Sequence, residues 1–363
     1  MSVTDVSARF QPGCVTARTL AARSRTAASM RAVVLSAFGD ADNFVAADLP
    51  VPEVRAGEVR VRIKAVSFNP VDYQIRKGLP ESSRLRSMIL GRDLSGVIDA
   101  VDAGVTDFRV GDEVFGYVCD LASNGTYAEY VSVPAELLAA KPTSLSHAQA
   151  AAVPVAGITA SMALDKCWAD DSKSVFVAGG AGGVGTFAIR LLRYLGVRNL
   201  VTTAGSAASR AYLIKHAGLS GDQIVDYRDA DFVDQTLRHN SGGFDIALDL
   251  VGGRMLSACC VLLGVDGNLA SVTEAPNRDD FEFLFRKNAS FHSIGANAYS
   301  LLGERAIWRT YAEILDRLAH LFDSRALAPP PVTVLGTLSV DVVKQAHRLL
   351  ESNSVQGKLV MTC

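Results

Sequence analysis

Residues 175–191 read VFVAGGAGGVGTFAIRL, and five of the seven positions from Gly179 to Gly185 are glycine. The loop lies between an apolar run and an amphipathic helix pattern, so it sits at a helix N-terminus. Free backbone N–H groups and the helix dipole there favour an anion. Glycines at 182, 183 and 185 permit a turn, the close approach of a pyrophosphate, and close helix–strand packing. The spacing is Gly179-x-x-Gly182-x-x-Gly185, not the plain GxGxxG form. A glycine-rich turn without a ligand is the rival reading. The strand–loop–helix context and the β/α units that follow favour a dinucleotide, with Ala181, Gly182, Gly183, Val184 and Gly185 as candidate contacts.

An NAD site usually has an acid at the end of the second strand, bonded to the ribose 2′-hydroxyl. Here that strand reads NLVTTAGSAASR, with Ala204, Gly205 and Ser206 where the acid belongs. Arg210 follows on the helix, and Tyr227 and Arg228 end the next strand. A missing carboxylate with Ser206, Arg210 and Tyr227 nearby suits a 2′-phosphate, hence NADP(H). For Arg210 and Arg228 an exposed helix or loop charge is the rival reading.

The elements that hold these residues divide in two. Val59, Val61 and Ile63 alternate with Arg60, Arg62 and Lys64, the pattern of a half-buried strand with a solvated basic face. Short strand-like runs separated by glycine continue to about residue 135, which predicts an antiparallel, barrel-like domain. From about residue 150 apolar strands alternate with helices, the signature of a parallel sheet covered on both faces. After a helical stretch and a proline-rich link at Pro329–Pro331, the closing strand KLVMT is expected to return to the first domain.

The totals bound the function. The chain has 363 residues and a net charge of -2, without the basic stripe of a nucleic-acid binder. Its least charged stretch, AAVPVAGITASMAL, is broken by proline and glycine, a poor membrane span. The cysteines at 14, 119, 167, 259, 260 and 363 form no CxxC, which fits a reducing, cytoplasmic setting. Residues 1–29 carry several arginines and one acid. The reading taken is a flexible extension or a start placed too early, with an organellar transit peptide as the alternative. The six histidines, at 147, 216, 239, 292, 320 and 347, show no ligand spacing.

The phrases NPVDYQIRKG (69–78), LGRDLSGVI (90–98), GDEVFG (111–116), GTYAEYV (125–131), AAVPVAGITA (151–160), AGGVGTFAIR (181–190), LDLVGG (248–253) and GKLV (357–360) run in order along the chain. As a set they resemble the medium-chain dehydrogenase/reductase superfamily, and within it the zinc-independent quinone oxidoreductases related to ζ-crystallin. LGRD and GGVGTFAI are also similar to a mitochondrial branch, the reticulon-interacting reductases. The resemblance implies a GroES-like β-barrel catalytic domain over 30–152 and 298–363 and a Rossmann-type doubly wound domain over 153–297. It implies a substrate cleft between them and a homo-dimer or homo-tetramer.

It also implies where zinc would sit in the alcohol dehydrogenases. Those three ligand positions carry Asn69, Arg92 and Val155 here, so no metal is expected. Asp72 and Arg92 are expected to fill the place with a salt bridge that Asp93 joins. Asn69 is the candidate donor to a substrate carbonyl, against the rival role of capping the turn before Pro70. Tyr73 is the candidate to donate its hydroxyl or stack on a flat ring, against simple packing. Thr159 matches a position near the nicotinamide, and Val251 and Val272 are expected to line the nicotinamide and ribose pocket, against a plain core role. The expected activity is NADPH-dependent hydride transfer to a quinone or an activated alkene, with no nucleic-acid partner. A zinc-free alcohol or aldehyde dehydrogenase and a non-catalytic NADPH-binding protein, sensor or crystallin-like, are the alternatives.

Overall fold

The alternating residues of β3 (Glu58–Ser67) set the first half of the architecture. Val59, Val61 and Ile63 are buried, while Arg60 reaches sideways to Asp99 on β4 (Asp93–Val101). The computed structural model describes residues 28–363, so the expectation for the N-terminal extension falls almost wholly outside it. Pairing begins at Ser29, where β1 (Ser29–Leu35) forms an antiparallel ribbon with β2 (Phe44–Pro50).

Beyond β4 come β5 (Glu113–Tyr117), β6 (Tyr130–Pro134) and β7 (Leu138–Ala140). The next six are β8 (Val175–Ala178), β9 (Leu200–Ala204), β10 (Ile224–Asp226), β11 (Phe244–Asp249), β12 (Leu263–Ser271) and β13 (Ser290–Ser293). The last two are β14 (Val332–Thr337) and β15 (Lys358–Thr362). One sheet runs β14-β15-β3-β4-β5-β7, with β6 on β3, and is antiparallel except for β14–β15. The other, β10-β9-β8-β11-β12-β13, is parallel throughout. Its central strand β8, VFVA, is a continuous apolar run, buried throughout because both faces are covered. Strand order reverses between β8 and β11, the place where open α/β sheets bind ligands at their carboxyl ends.

The two sheets share a core. Helices Pro154–Lys166 and Arg309–Asp323 pack Ile158, Leu315, Leu318 and Phe322 into one apolar cluster with Phe115 and Tyr117 of β5 and Val177 of β8. Among the described residues no helix is long and apolar enough to cross a membrane.

Candidate active site

The glycine loop joins β8 to the helix Gly183–Tyr194, and each glycine answers a different demand. Gly179 has φ +82°, a left-handed turn that suits glycine. A Cβ at Gly185 would lie 2.6 Å from the Gly180 Cα, so this glycine lets the helix sit on the strand. Gly182 is the residue before the helix, and a Cβ there would meet nothing closer than the Gly179 carbonyl at 3.5 Å. The space over Gly182 is open, and the first-turn N–H groups have no carbonyl a turn earlier to bond. This cradle fits a pyrophosphate. Gly183 answers a demand absent from the sequence argument: a Cβ there would lie 2.8 Å from Cδ of Lys358. The loop is also stitched to the segment before β15, because Gly357 N–H donates to the Ala181 carbonyl at 2.9 Å.

Lys358 leads from the loop into a buried polar group. Its ammonium donates to Asn69 Oδ1 at 2.5 Å, to the Phe68 carbonyl at 3.3 Å and to Asp93 Oδ2 at 3.2 Å. Asp93 Oδ2 also accepts from Ser67 Oγ at 2.6 Å and from Asn69 Nδ2 at 2.9 Å. Its Oδ1 accepts from Val155 N–H at 2.8 Å, at the start of helix Pro154–Lys166. One carboxylate thus ties β3, β4, β15 and that helix together. Asn69 is only 3% exposed. It precedes helix Pro70–Arg76, whose Asp72 accepts from Asn69 N–H at 2.8 Å. Burial pushes the Asp72 carboxyl up to about 7, opposed by that hydrogen bond and by the Arg92 charge. Arg92 is buried and donates from Nη1 to the Val118 carbonyl at 3.1 Å.

The model of the alcohol dehydrogenase GroES-like domain matches residues 55–143, and that of the zinc-binding dehydrogenase matches residues 219–361. A solved quinone oxidoreductase from Coxiella burnetii is 30% identical, with a TM-score of 0.78 over 93% of this chain and 100% of that one. The chain belongs to the medium-chain dehydrogenase/reductase family. A 2-methylene-furan-3-one reductase from Solanum lycopersicum is 29% identical, covering 96% of this chain and 84% of that protein. An NADPH-dependent alkenal/one oxidoreductase, chloroplastic, from Arabidopsis thaliana is 27% identical, covering 92% and 79%.

In this medium-chain dehydrogenase/reductase the buried polar centre departs from the expected ion pair. Asp72 and Arg92 form no salt bridge: Asp72 Oδ2 is turned to the Asn69 N–H, and Oδ1 is buried without a hydrogen-bond partner. The buried ion pair is Lys358–Asp93. The three positions Asn69, Arg92 and Val155 present an amide bonded on both sides, a cation and a hydrocarbon. Among the described residues no three His, Cys, Asp or Glu side chains gather into a metal-holding group.

Arg210 is already engaged: its Nη1 and Nη2 donate to the carbonyls of Gly221 and Ile224, both at 2.7 Å, so its guanidinium braces the turn before β10. Arg228 is held by Asp226 through two bonds, at 3.0 and 2.6 Å. Ser206 caps helix Ala207–Tyr212, its Oγ accepting from Ser209 N–H at 3.1 Å. Tyr227 is 38% exposed and its ring lies where a Cβ on Gly205 would go.

Tyr73 is half-buried, with the Lys77 ammonium 5.3 Å over its ring. Thr159 donates its hydroxyl to the Val155 carbonyl at 2.7 Å. Val251 is 52% exposed at the end of β11, not a core residue, and Val272 is half-buried after β12. Both strand ends are fixed by Asp249, which is fully buried. Its Oδ1 accepts from Val251 and Gly252 N–H, and its Oδ2 from Ser271 and Thr273 hydroxyls. Asp249 and Lys358 are the residues that sequence reasoning passed over. Each stood inside a quoted phrase, LDLVGG and GKLV, as a lone charge among apolar neighbours, and that was the available signal.

Proposed function

We propose that the protein is an NADPH-dependent reductase that transfers hydride to the β-carbon of an α,β-unsaturated carbonyl, with quinones as the related substrate class. The observation that carries this reading is the contact of the glycine cradle with the buried Lys358–Asn69–Asp93 group. An anion site and a buried polar centre share one wall. The furanone reductase and the alkenal/one oxidoreductase among the relatives support the substrate class. The missing acid at Ala204–Ser206 supports the 2′-phosphorylated cofactor.

The first-turn N–H groups over Gly182 would hold the pyrophosphate. The bound reduced nicotinamide supplies the hydride. Thr159, Val251 and Val272 would flank that end of the cofactor. Asn69 keeps one amide N–H after its bond to Asp93, and its orientation is locked from both sides. Arg92 has no ion-pair partner among the described residues. Its guanidinium is the group we assign to the substrate oxygen, where negative charge develops as the enolate forms. Tyr73, steadied by Lys77, offers a hydroxyl from the helix that follows Asn69. Water supplies the proton that completes the reduction.

The test is NADPH oxidation, followed by nicotinamide absorbance, against a panel of enones, quinones and aldehydes. Enones should be reduced fastest. Arg92→Gln should lower kcat/KM by about a hundredfold while the Kd for NADPH stays unchanged. Turnover confined to aldehydes, or full activity of Arg92→Gln, would overturn the reading.

A further inference from the structure

The carboxyl edge of β9 and β10 carries three arginines, and the structure distinguishes them. Arg210 is engaged with two backbone carbonyls, and Arg228 is neutralised by Asp226. Arg254, the first residue of helix Arg254–Leu262, is exposed and has no carboxylate within ion-pair distance among the described residues. The helix starts after β11, yet its Nη2 donates to the Tyr227 carbonyl at 3.4 Å. The start of this helix and the end of β10 therefore lie within one side chain's reach of each other. Tyr227 in turn lies against Gly205, next to Ser206. Arg254, Tyr227 and Ser206 thus surround the ground where the second strand of a dinucleotide fold receives the adenosine ribose.

We propose that Arg254 is the residue that makes this edge prefer a 2′-phosphorylated adenosine over one with a free 2′-hydroxyl. This rests on the NADPH reading above. Ser206 and Tyr227 supply neutral hydroxyl donors, which serve either ribose. A phosphate dianion needs a cation as well, and a guanidinium gives two parallel donors in the right plane. The weak, long bond to the Tyr227 carbonyl anchors the side chain near the ribose without neutralising its charge. Arg254 is also the N-terminal residue of its helix, where a positive charge opposes the dipole. The helix dipole therefore gives no reason for an arginine at this place.

The experiment separates this proposal from the reading beneath it. 2′,5′-ADP and 5′-AMP, which lack the nicotinamide, are titrated calorimetrically into the wild type and into Arg254→Gln, Arg254→Glu and Arg228→Gln. Thermal melts establish that each variant is folded. The wild type should prefer 2′,5′-ADP by about tenfold or more, and added salt should weaken that preference. Arg254→Gln should remove most of the preference while binding 5′-AMP as before. Arg254→Glu should reverse it, and Arg228→Gln should keep it. A wild type that does not discriminate the two nucleotides would defeat the NADPH reading and this proposal together. A wild type that discriminates, with Arg254→Gln and Arg254→Glu discriminating equally well, would defeat this proposal alone.

Discussion

Two buried titratable groups face the Tyr127 hydroxyl and should respond to pH in opposite senses. Asp72 is fully buried near Arg92, Asp93 and Lys358, and its carboxyl is pushed from 3.8 to about 7, chiefly by burial. His347, bonded through Nε2 to Tyr127 Oη at 3.1 Å, is pushed from 6.5 to about 3 by burial and by the Arg76 charge. The folded state holds the Asp72 proton more tightly than the unfolded chain does. That stabilisation is full below pH 3.8 and is lost as pH rises to about 7. The folded state resists protonating His347. Its stabilisation is full above pH 6.5 and is lost as pH falls through about 3. Each displacement of three pH units or slightly more corresponds to about 4 kcal/mol. Between 3.8 and 6.5 the two slopes oppose and largely cancel. Urea denaturation of the wild type, Asp72→Asn and His347→Gln across this range reads the two apart. From pH 4 to pH 8 the gap between Asp72→Asn and the wild type should move by about 4 kcal/mol in favour of the variant. The gap for His347→Gln should move in favour of its variant as the solution is made more acid. Gaps that stay flat with pH would refute the reasoning, because neither burial would then favour the neutral form.

Gly183→Ala should destabilise the protein by about 1–3 kcal/mol through its 2.8 Å approach to Lys358 Cδ. Much of that cost should vanish when Lys358 is already Ala, a coupling of at least about 0.5 kcal/mol in a double-mutant cycle, and additive effects would contradict the contact. Arg210→Ala should lower stability by about 1–3 kcal/mol as the Gly221 and Ile224 carbonyls lose their donors, and it should leave the ratio of NADPH to NADH affinity unchanged. A collapse of that ratio would return Arg210 to the ribose.

The fold was legible because local pattern and tertiary context agree. Continuous apolar strands such as Val175–Ala178 signal a sheet buried on both faces, and alternation at Val59–Lys64 signals one buried on a single face. The glycine loop was legible as a frame, but its glycines were not separable by eye. Gly183 is set by a lysine at position 358, and spacing within one loop carries no trace of that residue. The ion pair was misread for a related reason. Asp72 and Arg92 are opposite charges in neighbouring motifs, whereas Asp93 and Lys358 meet across 265 positions. Asp72 Oδ2 had already been claimed by the helix start at Asn69, a local demand that outweighs a distant charge. Arg210 looked available because the turn that accepts it returns only 11 and 14 residues later, through carbonyls that every residue carries.

The stitching of β15 to both Asn69 and the glycine loop bears on how the molecule assembles. Lys358 lies 289 residues after Asn69, so Asp93 and Asn69 lack their cation for most of translation. A nascent chain that has already paired β3 with β4 would bury a carboxylate without its counter-charge, a costly state. That carboxylate stays hydrated until β15 docks. Closing so long a loop is slow. The dinucleotide cradle and the polar centre should therefore mature in a single late event. A ligand that seats on the finished loop would act as a trap for that event, raising the yield of native protein during refolding without altering the earlier collapse of either sheet.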